Sequence, residues 1–254
     1  MMNSKVDKVA QEADMSIPVE TSDKPRWGAK SAFLCYLTVV VGVLIVAAST
    51  GLLLRFSGFN LAEPPYPISL VSIPVNEISI LLLTLAFIKR SGANISQMGF
   101  RKISAAAVLK MTILGAALLL LTATVGATQN AILGSDPAEQ IFAKFVVPRT
   151  QIQLVFLVIF AMVLVGPIEE LFARAYIQKG LENHFGRVKG LLLASLLFGM
   201  LHALNVVRAI IPTFVAGLFL GYIWQKTGRN TTSVAVLHGA YDSIALALAF
   251  LFGV

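Results

Sequence analysis

From Ala32 to Leu54 the chain runs 23 residues without a charge. A helix of that length is about 34 Å long, enough to cross a hydrocarbon core of about 30 Å. Further apolar stretches follow at Ile68–Ile88, Ile103–Ala127, Ile152 to about Gln178, Gly190 to about Leu204, Val206–Trp224 and Ser233–Phe252. Inside a bilayer the backbone has no water to bond to, so such runs must be helices or strands of a closed barrel. The period-two alternation of barrel strands is missing. The chain is therefore read as all-α, a polytopic transmembrane bundle of about seven spans. Its 57% hydrophobic and 13% charged composition agrees, since a soluble domain carries about 25% charged residues.

The formal net charge of +7 does not point to nucleic acid. Lys and Arg fall in the N-terminal tail and in short connections: Lys89, Arg90, Arg101 and Lys102, then Lys179, Arg187 and Lys189, then Lys226 and Arg229. That is the positive-inside pattern of a membrane protein, so the expected partner is the lipid bilayer. Seven spans with a cytoplasmic N-terminus put all three basic groups on the cytoplasmic side of the plasma membrane. Met1 to Lys30 is polar and mixed in charge, with Pro18 and Pro25. It reads as a disordered cytoplasmic tail, and residues 31–254 as one membrane domain. The tail is too long and polar for the start of a signal peptide, so the first span is retained. Cys35 is the single cysteine; it makes no internal disulfide and no paired-cysteine metal motif.

Carboxylates inside membrane helices are costly and mark candidate functional sites. Glu169 and Glu170 end a long apolar run, and Arg174 follows four residues after the second. Glu170 and Arg174 can pair along one helix face. Glu169 is turned about 100° away and stays free for chemistry. Glu77 shares the second span with Pro74 and Asn76. A kink is expected at Pro74. Glu77 could face the site, but the preferred reading is that it pairs with an Arg or a backbone amide elsewhere in the bundle. Thr128 to Gln151 reads as a loop holding a short amphipathic helix from Ala138 to Val146. Gly217 and Gly221 form a small-xxx-small pair for helix packing.

All three histidines come after the glutamate pair. Counted along unbroken helices, Glu169 lies about 15 Å from Lys179, His202 about 20 Å from Lys189 and His238 about 14 Å from Arg229. These matched depths let the three groups line one cavity. His184 sits among basic connection residues and is expected to be exposed. Phe198 and His202 are at i and i+4, so the ring can pack on the imidazole. His238 and Asp242 share the same spacing, so the carboxylate can orient the histidine, and the two could also ligate a metal. The His-Glu-x-x-His run of zinc proteases is absent, and so is a Gly-x-Ser-x-Gly elbow.

Glu169-Glu170-x-x-x-Arg174, Phe198-x-x-x-His202 and His238-x-x-x-Asp242, in that order on successive helices, resemble the motifs of the CPBP intramembrane proteases. That is the family of CAAX prenyl endopeptidase type 2 and of the Abi bacteriocin-processing and self-immunity proteins. The resemblance covers about residues 150–254. It implies a helical membrane fold with a polar cavity open to the cytoplasm. It also implies an endopeptidase in which Glu169 and His202 activate water and His238, with the residue at 242, stabilises the oxyanion. Some members carry Asn where this chain has Asp242. An ionised carboxylate cannot donate to an oxyanion, so Asp242 instead orients His238, holds a proton, or ligates a metal.

Two versions of the chemistry follow. In one, Glu169 is the general base, His202 helps to hold the water and His238 stabilises the oxyanion, while Glu170 and Arg174 fix the helix. In the other, Glu169, His202, His238 and Asp242 bind one divalent ion, zinc, whose water is the nucleophile. The expected substrate is a membrane-associated protein or peptide, either a CAAX-type prenyl protein or a leader-peptide or bacteriocin precursor. The alternatives are a non-catalytic membrane scaffold or regulator and a proton-coupled transporter.

Overall fold

The computed structural model describes residues 27–59 and 66–253. The expected disordered tail thus lies, up to residue 26, outside the described residues. Among them the structure is helical: α1 (Ala29–Phe56), α2 (Tyr66–Arg90), α3 (Ala105–Leu133), α4 (Pro137–Val146), α5 (Gln151–Phe185), α6 (Arg187–His202), α7 (Ile210–Lys226) and α8 (Thr231–Phe252). Short 3₁₀ turns precede α3 (Ile95–Met98) and α7 (Val207–Ala209). Six of the helices, all but α4 and α6, are long and apolar enough to cross a membrane, α7 when counted with the 3₁₀ turn from Val207.

The expected fifth span, α6, has 16 residues and falls short of that length. Contacts at its two ends nevertheless show that it traverses the bundle. At one end, Glu182 near the close of α5 pairs with Arg229 after α7. The Arg101 guanidinium donates to the Gly228 carbonyl, and the Thr231 amide donates to the Gly99 carbonyl. Trp27, just before α1, receives the Asn183 side chain on its carbonyl. At the other end, Arg208, which follows α6, pairs with Asp136 at 3.5 Å and donates to the Leu133 carbonyl. Seven helices therefore alternate in direction, and α4 lies outside that alternation.

Charge separates these ends. Lys30, Lys89, Arg90, Arg101, Lys102, Lys110, Lys179, Arg187, Lys189, Lys226 and Arg229 fall toward the first. Arg55, Lys144, Arg149 and Arg208 fall toward the second. The three basic connections thus share one face of the bundle, as the charge pattern requires.

Two boundaries move. The fourth span does not stop at Gln178, because α5 continues through Lys179 to Phe185. A lysine at a helix end can lay its stem along apolar surface and keep its charge in water, so it need not mark a turn. Likewise α3 runs on to Leu133, six residues past the expected end of its span. Ser104 caps its start by accepting from the Ala107 amide. The short amphipathic helix is present as α4, with Asp136 capping it and Pro137 at its first position. Pro74 lies within the continuous α2.

The helices around the site meet backbone to backbone. A Cβ on Gly166 of α5 would stand 2.6 Å from the Ala235 carbonyl oxygen of α8. One on Gly239 of α8 would stand 2.9 Å from the Met162 Cα of α5. These two glycines let α5 and α8 cross next to Glu169 and His238. Gly217 rests on Ser195 of α6, and Gly221 on Gln178 of α5 and Leu191 of α6, so the expected packing role of that pair is realised.

Candidate active site

Helix α5 is not uniform. Two π-helical stretches, Ala161–Val165 and Leu171–Gln178, flank a short α-helical turn, Gly166–Glu170. The widened turns alter side-chain directions on either side of the glutamates, a device found often at functional sites. The Tyr176 carbonyl within the second stretch accepts from Trp27 Nε1 at 2.9 Å.

The two glutamates have different surroundings. Glu170 is fully buried, and its Oε2 stands 3.2 Å from Arg174 Nε, so the expected pair is formed. Its Oε1 also accepts from His238 Nδ1 at 2.8 Å. Spacing along one helix could not show that second bond, because it joins α5 to α8. Arg174 stacks its guanidinium 4.4 Å from the centre of the Phe198 ring, and Phe198 packs on His202 at 4.5 Å between ring centres. One buried chain of contacts thus runs through Glu170, Arg174 and Phe198 and reaches a histidine at each end.

Glu169 is 15% exposed. Its Oε2 lies 4.0 Å from His202 Nε2 and 3.9 Å from His238 Nε2, with no hydrogen-bond partner. His202 Nδ1 lies 3.0 Å from the Phe198 carbonyl. A carbonyl only accepts, so Nδ1 carries a proton, and Nε2 is the ring nitrogen that faces Glu169. His238 Nε2 lies 3.6 Å from Asp242 Oδ2, so a carboxylate stands at each ring nitrogen of His238. The structure therefore brings together Glu169, His202, His238 and Asp242, with Glu170, Arg174 and Phe198 behind them. His184 is exposed and apart from the set.

These residues line a cavity of about 830 Å³. Its wall also includes Val43, Ala47 and Thr50 of α1, Phe142 and Phe145 of α4, and Leu246 and Ala249 of α8. Glu77 and Asn76 of α2 join it too. The expectation that Glu77 pairs elsewhere in the bundle is therefore corrected. It is 5% exposed and faces the same space as Glu169, and its Oε2 has no hydrogen-bond partner. Only tertiary packing brings α2 to this wall, so nothing local in the sequence marked it beyond an acid at membrane depth.

The donor types at the site, imidazole and carboxylate, suit a divalent ion. Their spacing does not close around one. A tetrahedral centre with ordinary zinc bonds sets its ligands about 3.3 Å apart, whereas the separations here are 3.6, 3.9 and 4.0 Å. No group of three or more His, Cys, Asp or Glu among the described residues is arranged to hold a metal ion. Gaps near 4 Å do suit a water that hydrogen-bonds to the groups on both sides.

Comparison with known proteins agrees with the motif pattern. Residues 151–244 match the family model Type II CAAX prenyl endopeptidase Rce1-like. The match runs from the start of α5 into α8 and contains every residue of the three motifs, and its family agrees with the CPBP resemblance. It does not extend over α1 to α4, so Glu77 lies outside it. No curated protein and no solved structure matches the chain.

Proposed function

We propose that the chain is an intramembrane endopeptidase that hydrolyses a peptide bond of a membrane-associated protein or peptide with a water held by Glu169 and His202. The observation that carries this reading is the Glu169 carboxylate oxygen, unpartnered and about equidistant from the Nε2 atoms of His202 and His238. Glu169 and the His202 lone pair both accept, so a water between them is held by its two protons. Its own lone pairs are then directed at an incoming carbonyl. Glu169 takes one proton as the water oxygen attacks, and returns it to the leaving amine as the peptide bond breaks. His238, as imidazolium, donates Nδ1–H to Glu170 and turns Nε2–H to the oxyanion. Asp242 holds that ring from the other side rather than acting as a donor. The apolar wall from α1, α4 and α8 receives an apolar part of the substrate, which fits a prenylated chain or a hydrophobic leader peptide.

The test uses the purified full chain in proteoliposomes with a peptide pool, and products are read by mass spectrometry. Wild type should cut and Glu169→Gln should not. Metal content and activity are measured before and after chelation; activity lost on chelation and restored by zinc would replace the Glu169–His202 water with a metal-bound one. Solute flux without peptide cleavage in the same vesicles would favour a transporter. Neither activity in a well-folded protein would favour a scaffold.

A further inference from the structure

The two ends of the bundle differ in charge, and the cavity belongs to one of them. Its lining comes from the second half of α1, the first half of α2 and the first half of α5. It also includes the end of α6, the residues just after it, Thr213 to Leu220 of α7 and His238 to Ala249 of α8. All of these lie toward the end where Arg208 meets Asp136. Helix α4 lies at that end, and its Ile141 and Phe142 line the cavity while staying partly exposed. None of the lining comes from the basic connections. Those are bound to one another at the opposite end through Glu182–Arg229 and Arg101–Gly228.

Positive connections stay in the cytoplasm, because Lys and Arg near span ends resist translocation. The bias is strong here, with eleven Lys and Arg toward one end and four toward the other among the described residues. The resemblance implies a cavity open to the cytoplasm, while the charge pattern puts the basic end there. Those two expectations name opposite ends of this molecule. We infer that the cavity opens on the non-cytoplasmic side, and that the substrate is the outward-facing segment of an exported, membrane-tethered peptide or protein. Such a segment descends past α4 to Glu169 with its apolar anchor against α1 and α8. A peptide kept in the cytoplasm meets the closed basic end instead. The term substrate rests on the protease reading; the sidedness rests only on charge and cavity position.

Two measurements test it on the full chain. In a Cys35→Ser background, His184→Cys reports the basic end and Leu204→Cys reports the cavity end. A membrane-impermeant maleimide added to intact cells should label position 204 and spare 184 until the cells are broken. Labelling of 184 alone, or of both equally, overturns the inference. In the second arm, right-side-out and inside-out membrane vesicles receive a pool of apolar peptides with charged flanks that cannot cross the bilayer. Right-side-out vesicles should cut them and inside-out vesicles only after detergent; the reverse overturns the inference. If detergent-solubilised wild type cuts nothing, the protease reading fails while the labelling still decides the sidedness.

Discussion

Two buried or half-buried glutamates thirteen positions apart on α5, Glu169 and Glu182, are satisfied in different ways. Glu182, at the basic end, accepts from Gln178 at 2.8 Å and Gln225 at 2.7 Å, and pairs with Arg229 at 2.9 Å. Its partners come from α5, α7 and the turn before α8, so it ties the basic end together. Glu169, at the cavity, has an oxygen with no partner and two imidazoles just beyond bonding distance. A buried carboxylate left unfinished raises the energy of the folded state. Its presence beside a cavity is what a reacting group requires, whereas a completed network is what a structural one requires. Glu170 stands between these cases: its Oε1 is bonded to His238, while its Oε2 lies 3.2 Å from Arg174 Nε without a hydrogen bond.

Substitutions can break the comparison. The largest effect is expected at Glu169. Glu169→Gln should lower peptide cleavage by roughly 10²–10⁴-fold and leave thermal unfolding in detergent nearly unchanged. Full activity would remove it from the base role. Glu170→Gln should lose folded protein first, because breaking a buried pair typically costs about 3–5 kcal/mol. Arg174→Met should fail in the same way, and the double change should recover part of the loss in a double-mutant cycle. If Glu170→Gln stays folded and inactive while Glu169→Gln stays active, the two roles are reversed.

Smaller effects sharpen the contrast. Glu182→Gln should cost about 1–3 kcal/mol for its lost charged bonds, and the folded fraction should keep its specific activity. The ionic part is discounted because Arg229 is 35% exposed. Loss of activity greater than loss of fold would give the basic end a catalytic role. Glu77→Gln should change stability by no more than about 1 kcal/mol, since it exchanges one buried polar group with an unpartnered oxygen for another of the same shape. A larger fall in stability would mean that Glu77 has a stabilising partner. His184→Ala should leave stability within about 0.5 kcal/mol and cleavage unchanged, which serves as the control for the set.

Most of the helices could be read from the sequence, because membrane spans announce themselves by length and hydropathy. The pairs Glu170–Arg174, Phe198–His202 and His238–Asp242 were legible for a related reason, as each lies at i and i+4 on one helix. What depended on contacts between helices was not. The Glu170–His238 bond, the stacking of Arg174 on Phe198 and the arrival of Glu77 at the cavity need the bundle assembled. The charge of Lys179 suggests a connection, yet α5 runs through it, because a lysine stem can lie along the apolar surface. The π-helical turns of α5 leave no mark in the hydropathy pattern, because widening a helix by one residue per turn changes direction and not polarity.

The shortness of α6 has a consequence for the surrounding lipid. Sixteen residues make about 24 Å of helix, and Val188, Leu192, Leu196 and Met200 form an exposed apolar strip along it. A bilayer with a core of about 30 Å does not match that strip, and mismatch is relieved by local thinning. A helix that ends early sets both of its ends, Arg187 and His202, closer together along the membrane normal than a full-length span would, so the exposed strip on α6 asks less hydrocarbon of the lipid beside it than its longer neighbours do.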